Sequence, residues 1–287
     1  MTAYNTIIVD GGLARGHWEG SGHLGWFVRR IITLHREHSP NMIAVAWDSP
    51  HEGSIRREIS KSYKADRSDP GDEFHLAVQE VKAVLPWFDV VQYCAPRAEA
   101  DDVLFSLSRS LPPRSLVVSA DKDLLQVVSP EVDFLKAGTR RSIPDVLVTA
   151  NNIRDTPIKM GGCSCTGLDA TGWTSLLALS GDRVDGVPGL PKVGPGRALA
   201  ILRACPDFVS LVLAGREDEA RQQIYAVDDS VSKWVEVAVS HREDLRESLD
   251  LVRLYLVDLD ILNMPDDDYR ALAWVHAHDM EDFVFGE

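Results

Sequence analysis

The chain has 287 residues, enough for one large or two small domains and a sizeable core. With 45% hydrophobic and 26% charged residues its composition is that of a globular protein, and no apolar run approaches the ~20 residues of a membrane span. The net charge of −14 is unevenly spread: residues 205–287 hold 7 basic and 20 acidic residues, a net of −13, so the charge of the whole does not exclude an anionic partner for the rest.

The opening "MTAYNTIIVDGG" lacks the basic segment and long apolar stretch of a secretion signal, and "TIIVD" (6–10) reads as a first strand. Four cysteines suggest no disulfide framework, so the cytoplasm is the expected compartment. "HLGWFVRRIITLHREH" reads as a helix, "NMIAVAWD" (41–48) as a second buried strand, "EFHLAVQEVKAVL" as a helix and "SLVVSAD" (115–121) as a third strand. "VVQY" (90–93) and "VDFL" (132–135) are two more strand candidates. Strands alternating with helices predict an α/β fold with a parallel sheet covered on both faces. From about residue 150 the texture changes. A polar, Gly-rich stretch through 172, containing Cys163 and Cys165, reads as a long loop. Helices "WTSLLALSG" and "GRALAILRAC" follow, then an acidic helical tail whose "VRLYLVDLDIL" is expected to pack onto that second region with "PDDDY" in solvent.

The three clear strands end in Asp10, Asp48 and Asp121, where open parallel sheets build their sites. "EADD" adds Glu99, Asp101 and Asp102 at a helix start, "SADKD" adds Asp123, and "GDRVD" adds Asp182 and Asp185, expected to share a helix face at i, i+3. Carboxylates crowded in this way repel unless cations neutralise them, and all-oxygen donors suit Mg²⁺ or Mn²⁺. A basic run, "RREISKSYKADR" (56–67), supplies Arg56, Arg57, Lys61, Lys64 and Arg67, with Tyr63 as a flat surface for a base to stack on. "GLPKVGPGRAL", with Lys192, Gly194, Gly196 and Arg197, reads as a glycine-rich turn opening a helix, where amides face an anion.

Taken in order, "VDG", "WDSP…SIRREISKSYKADR", "EADDVL", "VVSADKDLLQVV" and "ALSGDRVDGVPGLPKVGPGRAL" resemble the 5′→3′ exonuclease and flap endonuclease family over residues 6–202. That family includes bacteriophage exonucleases and the exonuclease domain of bacterial DNA polymerase I. The resemblance implies a PIN-like or resolvase-like nuclease domain over residues 1–172, with a helical arch at about 50–75 that admits 5′ ends or flaps. It also implies a helical region over 173–287 opened by a phosphate-gripping helix–three-turn–helix at about 173–203, which commonly binds K⁺. By position, all nine acids named above match the family's site for two divalent metals, some of them acting through water. Arg56, Lys64 and Arg67 match its basic catalytic and arch residues. Arg57, Lys61, Tyr63, Lys192, Gly194, Gly196 and Arg197 are the expected DNA contacts.

The expected activity is therefore structure-selective 5′ nuclease action on DNA with 5′ ends, flaps or nicks, in a monomer of a bacterial or phage-infected cell. A DNA polymerase partner is left open. The rivals are a ribonuclease acting on RNA primers or RNA–DNA hybrids, and a non-catalytic DNA-binding relative.

Overall fold

The computed structural model describes residues 3–49, 54–138, 143–264 and 268–285. In chain order the first part contains β1 (Thr6–Asp10), α1 (Leu13–Ser21), α2 (Gly25–His38), β2 (Met42–Ala46), α3 (Ile55–Ile59), α4 (Asp72–Val84), β3 (Val90–Cys94), α5 (Ala100–Ser110), β4 (Ser115–Ser119), β5 (Val132–Lys136) and β6 (Val146–Val148). A hairpin of β7 (Ile158–Met160) and β8 (Cys163–Cys165) leads to helices α6 (Ala170–Ser180), α7 (Pro195–Ala204), α8 (Phe208–Leu213), α9 (Glu217–Val227), α10 (Lys233–Ser240) and α11 (Arg242–Val252). The chain then adds β9 (Asp260–Ile261), α12 (Asp268–Ala277) and α13 (Glu281–Phe285).

The main sheet runs β6-β5-β4-β1-β2-β3-β9, parallel through its centre with antiparallel edges at β6 and β9. The period-2 alternation of each strand explains why it is covered twice. Ile8, Ala44 and Val117 point into one core with Val103 and Leu107 of α5, Trp173 of α6 and Leu199 of α7. Ile7, Val9, Val45 and Val118 point into the other, with Phe27 and Ile31 of α2 and Val81 and Val84 of α4. Each such fully buried aliphatic side chain contributes about 1.5–3 kcal/mol. The expected strands are all present, and β1 lies between β2 and β4, where the order of strands reverses and the carboxyl ends open a crevice.

Two stretches depart from expectation. The polar stretch before residue 172 is not all loop, because Ile158, Met160 and Cys165 bury one face of the β7–β8 hairpin in the core. The chain beyond residue 252 does not stay with the second group of helices. Leu254, Val257 and Leu259 carry it back over the core shared with the sheet, and β9 pairs with β3. Ala271, Trp274 and Val275 of α12 then pack on the α2–α4 face of the sheet. Of the acids expected to face solvent there, Asp266 and Asp267 lie outside the described residues, as do residues 50–53 of the expected arch.

What ties the helical region to the sheet is a buried ion pair. Arg56 in α3 is 3% exposed and Asp102 in α5 is fully buried. The guanidinium donates to both Asp102 oxygens, at 2.5 and 2.9 Å, and its other N–H groups reach the carbonyls of Leu251 and Arg253 at 2.8 Å. Asp102 Oδ1 also accepts from the Tyr255 N–H at 2.9 Å. Removing one partner strands a buried charge, which costs about 3–5 kcal/mol, whereas an apolar pair of similar volume can be neutral. Arg56→Met is therefore expected to lower the denaturant midpoint sharply. The double variant Arg56→Met with Asp102→Leu should recover much of that loss. A double variant as unstable as the single one would show that the pair is not the tie.

Candidate active site

The site grows out of the carboxyl ends of β1, β2 and β4. Asp10 closes β1 and is 7% exposed. Its Oδ2 accepts from the Ser119 hydroxyl at 2.6 Å and its Oδ1 from the Gly12 N–H at 2.7 Å. Ser119 Oγ in turn accepts from the Asp121 N–H at 3.0 Å. One hydroxyl thus spaces the first carboxylate from the loop that carries the next two. Asp121 caps the short 3-10 turn after β4 by accepting from the Asp123 N–H at 2.9 Å. Asp48, two residues past β2, accepts from the Ala100 N–H at 2.8 Å, at the start of α5. Glu99 caps α5 in a reciprocal box with Asp102, which sets the carboxylate of Asp101 toward the crevice.

Glu99, Asp101, Asp121, Asp123, Asp182 and Asp185 line one pocket together with Lys64, Tyr63 and Arg56, and with Leu251, Val252 and Leu254 as an apolar wall. Asp10 and Asp48 are not part of this lining; the Asp10 charge acts on Asp101, and that of Asp48 on Asp10. The Asp182–Asp185 pair arrives differently from expectation. Gly181 takes a φ of 64° and stops α6, so the two acids sit in a turn closed by a bridge between Asp182 and Val187. Asp182 Oδ1 accepts from the Val184 N–H at 2.9 Å.

The expected arch, within the described residues, is the short helix α3 and a set of turns folded onto the acids. The Lys64 ammonium is 2.8 Å from Glu99 Oε1, and Arg67 grips Asp185 with both oxygens at 2.8–2.9 Å. Lys64 itself holds a left-handed φ of 50° because its N–H donates to the Asp185 carbonyl at 3.0 Å. At Gly186 any Cβ would fall 2.4 Å from the Ser62 carbonyl, so glycine is what lets the two segments touch. Tyr63 is not a stacking surface. It is 5% exposed, packs on Val187 and Leu251, and donates its hydroxyl to Glu99 Oε2 at 3.0 Å. Arg56 and Asp102 are likewise spent on each other. Arg57 is half-buried and leans on the Lys64 carbonyl at 3.4 Å, while Lys61 is exposed.

Beyond the pocket, α6 and α7 flank the turns at 181–194, the place of the expected helix–three-turn–helix. Lys192 and Arg197 are exposed, Gly194 caps α7 without a side-chain bond, and nothing lies within 4 Å of where a Gly194 Cβ would be. The Arg197 guanidinium lies 5.4 Å from the Trp234 ring centre and also reaches the Lys192 carbonyl, which fixes its direction. Sequence reasoning missed Ser119, whose hydroxyl joins two acid segments, and the 251–255 stretch, which walls the pocket. Only "SAD" directly after a strand hinted at the first.

The electrostatics state the problem the site must solve. Burial, reinforced by neighbouring carboxylates, pushes Asp10 and Asp123 up to about 6 and Asp101 well above the usual range. For Asp10, bonds from Ser119 and Gly12 oppose that rise without cancelling it. Burial would also raise Glu99, but Lys64 and Arg56 outweigh it and hold Glu99 low. Asp123 Oδ1 is buried without an aligned hydrogen bond, its nearest cation being Lys122 at 3.1 Å. Among the described residues no three acids converge closely enough to ligate one ion directly. Magnesium-like ions keep several waters and need only one or two direct carboxylates, so this oxygen-only set fits such a cation.

Residues 19–155 match the model of the 5'-3' exonuclease, N-terminal resolvase-like domain family. The 5'-3' exonuclease of Halalkalibacterium halodurans is 28% identical over 62% of this chain and 56% of its own length. That of Aquifex aeolicus is 28% identical over 82% of this chain and 72% of its own. Among solved structures, T5 5'-exonuclease with bound zinc superposes at a TM-score of 0.63 and 18% identity, over 86% of this chain and 89% of that one. The bacteriophage T5 flap endonuclease in complex with DNA and metal ions gives 0.58 and 19%, over 86% and 88%. Residues 19–155 thus resemble this resolvase-like exonuclease domain, the chain resembles 5'-3' exonucleases in sequence, and it shares the fold of the solved T5 enzyme. It spans little more than half the length of the first of these relatives. No described helix is long and apolar enough to cross a membrane.

The raised acids make a testable sign. A folded-state value of about 6 at Asp123 means that the carboxylate's cost is absent near pH 4, grows as pH rises through 6 and is fully present at pH 7.5. Without divalent ions, Asp123→Asn should then melt a few degrees above the wild type at pH 7.5, with the gap closing toward pH 4. An Asn variant that melts lower than wild type at pH 7.5 would show that the carboxylates are not in conflict.

Proposed function

We propose that the protein is a divalent-metal-dependent, structure-selective 5′ nuclease that hydrolyses phosphodiester bonds in DNA bearing 5′ ends, flaps or nicks. The observation that carries this reading is the single pocket where six carboxylates face Lys64 beside a helix–turn–helix with open amides. The family resemblance supports it, and the T5 relative bound to DNA and metal ions is consistent with it.

In this reading Asp10, Asp48, Glu99, Asp101, Asp121, Asp123, Asp182 and Asp185 hold two Mg²⁺ or Mn²⁺ ions, several of them through water. Asp102 is left out, because its oxygens are engaged by Arg56 and the Tyr255 N–H. When bound, the ions supply Lewis acidity toward the phosphodiester and toward water. Lys64, freed from Glu99, reaches the scissile phosphate and stabilises charge that develops on it. Arg67 does the same from the other wall. Arg56 supports the pocket floor through Asp102. Lys192 and Arg197, with the amides at the start of α7, grip duplex phosphates at a fixed distance from the cut, and K⁺ at that turn belongs to the same reading. The bacterial relatives fit a cytoplasmic enzyme.

Cleavage of flap, nicked and single-stranded DNA with and without Mg²⁺ tests the proposal. Asp121→Asn should lose at least about 10²-fold in rate and keep much of its DNA binding, as expected for a group that acts only on the reaction. Lys64→Ala should lower the single-turnover rate more than the affinity. Full activity of Asp121→Asn with Mg²⁺ would rule the mechanism out. Separately, Lys192→Ala with Arg197→Ala should flatten the log–log salt dependence of duplex binding by about 0.9 per lost phosphate contact. An unchanged slope would make the turn a structural corner.

A further inference from the structure

The acids of the pocket come from two parts of the chain. Asp121 and Asp123 belong to the loop after β4, whereas Asp182 and Asp185 follow α6 in the helical region. The Arg56–Asp102 pair joins those parts through α5. At the loop itself the join is the side-chain amide of Gln126, in the 3-10 turn Lys122–Val127. Its Nε2 donates to the Asp123 carbonyl at 2.9 Å and to the Val252 carbonyl at 3.0 Å. Its Oε1 accepts from the Thr174 hydroxyl of α6 at 2.8 Å. Both carbonyls can only accept, so the orientation of the amide is fixed by its partners. Gln126 is 8% exposed, while Leu124, Leu125 and Val127 beside it are fully buried in the core with Trp173, Leu176 and Leu177 of α6.

We propose that Gln126 is a positioning residue that sets the distance between the two groups of acids, and with it the affinity of the pocket for divalent cations. The inference rests on the nuclease reading above, in which Asp121, Asp123, Asp182 and Asp185 hold those ions. The amide spans three places on which the pocket depends. Asp123 lines it, Val252 belongs to its apolar wall, and Thr174 stands about two helical turns ahead of Gly181, where α6 stops and Asp182 follows. A residue that only filled the core here would be apolar like its neighbours. Burying a primary amide costs free energy unless it is hydrogen-bonded, and these three bonds use both its N–H groups and its oxygen. Two of them leave the turn, one for α6 and one for the stretch after α11. The Asp123 Oδ1 is buried without an aligned hydrogen bond, so its place is set from the backbone, which Gln126 holds.

Mn²⁺ binding, followed by the paramagnetic resonance of the free ion, tests this with two variants. Gln126→Met keeps much of the volume and removes all three bonds. Thr174→Val removes only the bond to α6 and leaves the Asp123 and Val252 carbonyls satisfied, which keeps the test decisive if the first variant folds poorly. Gln126→Met should weaken Mn²⁺ binding about tenfold, as loss of a partner behind a metal ligand does. Thr174→Val should weaken it about threefold, the effect of one lost hydrogen bond. Both should bind blunt duplex in EDTA as the wild type does, because Lys192 and Arg197 are untouched. Variants that melt lower yet bind Mn²⁺ like the wild type would make Gln126 a core residue only, and wild-type Mn²⁺ affinity in Thr174→Val alone would also overturn the spacing role. Cleavage of flap DNA by the wild type reports on the nuclease reading separately. Cleavage with undiminished Mn²⁺ binding in the variants removes the positioning role alone, and weakened Mn²⁺ binding in the variants without wild-type cleavage removes the nuclease reading alone.

Discussion

Repulsion among carboxylates at the ends of the central strands is the constraint to which the rest of the structure answers. Asp10, Asp101 and Asp123 are all pushed upward, first by burial and then by neighbouring carboxylates, Asp121 acting on all three. A fold selected only for stability would not gather them. Its own cations relieve part of the strain: Lys64 at Glu99, Arg67 at Asp185, Lys122 at Asp123. In each, a flexible or partly exposed basic side chain meets an acid of the pocket. Arg56 differs, since its buried bidentate pair with Asp102 is fixed and faces the scaffold.

That division explains how the site and the fold fit together. Parallel strands bring Asp10, Asp48 and Asp121 to one end of the sheet, and the N-terminus of α5 adds Glu99 and Asp101. The second group of helices delivers Asp182 and Asp185 from a turn rather than a helix face. The Arg56–Asp102 tie, with its bonds to the Leu251 and Arg253 carbonyls and the Tyr255 N–H, holds the two parts in register. The same turn presents its acids to the pocket and Arg183 with Val184 to an open groove on its other side.

The parts of this arrangement legible in the sequence were those governed by local pattern. β1, β2 and β4 announce themselves by buried β-branched runs, and the order of the acidic motifs carried the family resemblance. What the sequence concealed depends on long-range contacts. In "EADD" nothing local distinguishes Asp101, which faces the pocket, from Asp102, which faces Arg56 forty-six residues away. Tyr63 sits amid basic residues, yet its ring is buried by Val187 and Leu251 from distant segments. The strands of the β7–β8 hairpin are three residues long, too short for a period to be read. The return of the chain to the sheet at β9 rests on two residues and on apolar neighbours that fit either region. The close approach at "VDGG" is another such contact: a Cβ at Gly11 would meet the Trp47 ring at 2.4 Å.

The central claim is that the crowded acids form a site for divalent cations. Calorimetric titration of the protein with Mg²⁺ or Mn²⁺ near pH 6, repeated in buffers of different ionisation enthalpy, tests it most directly. Asp10 and Asp123, raised to about 6, are partly protonated there and must lose protons to bind. The account predicts saturable binding with net proton release at pH 6 that diminishes by pH 8. Absence of saturable binding, or binding with no proton release at pH 6, would contradict it.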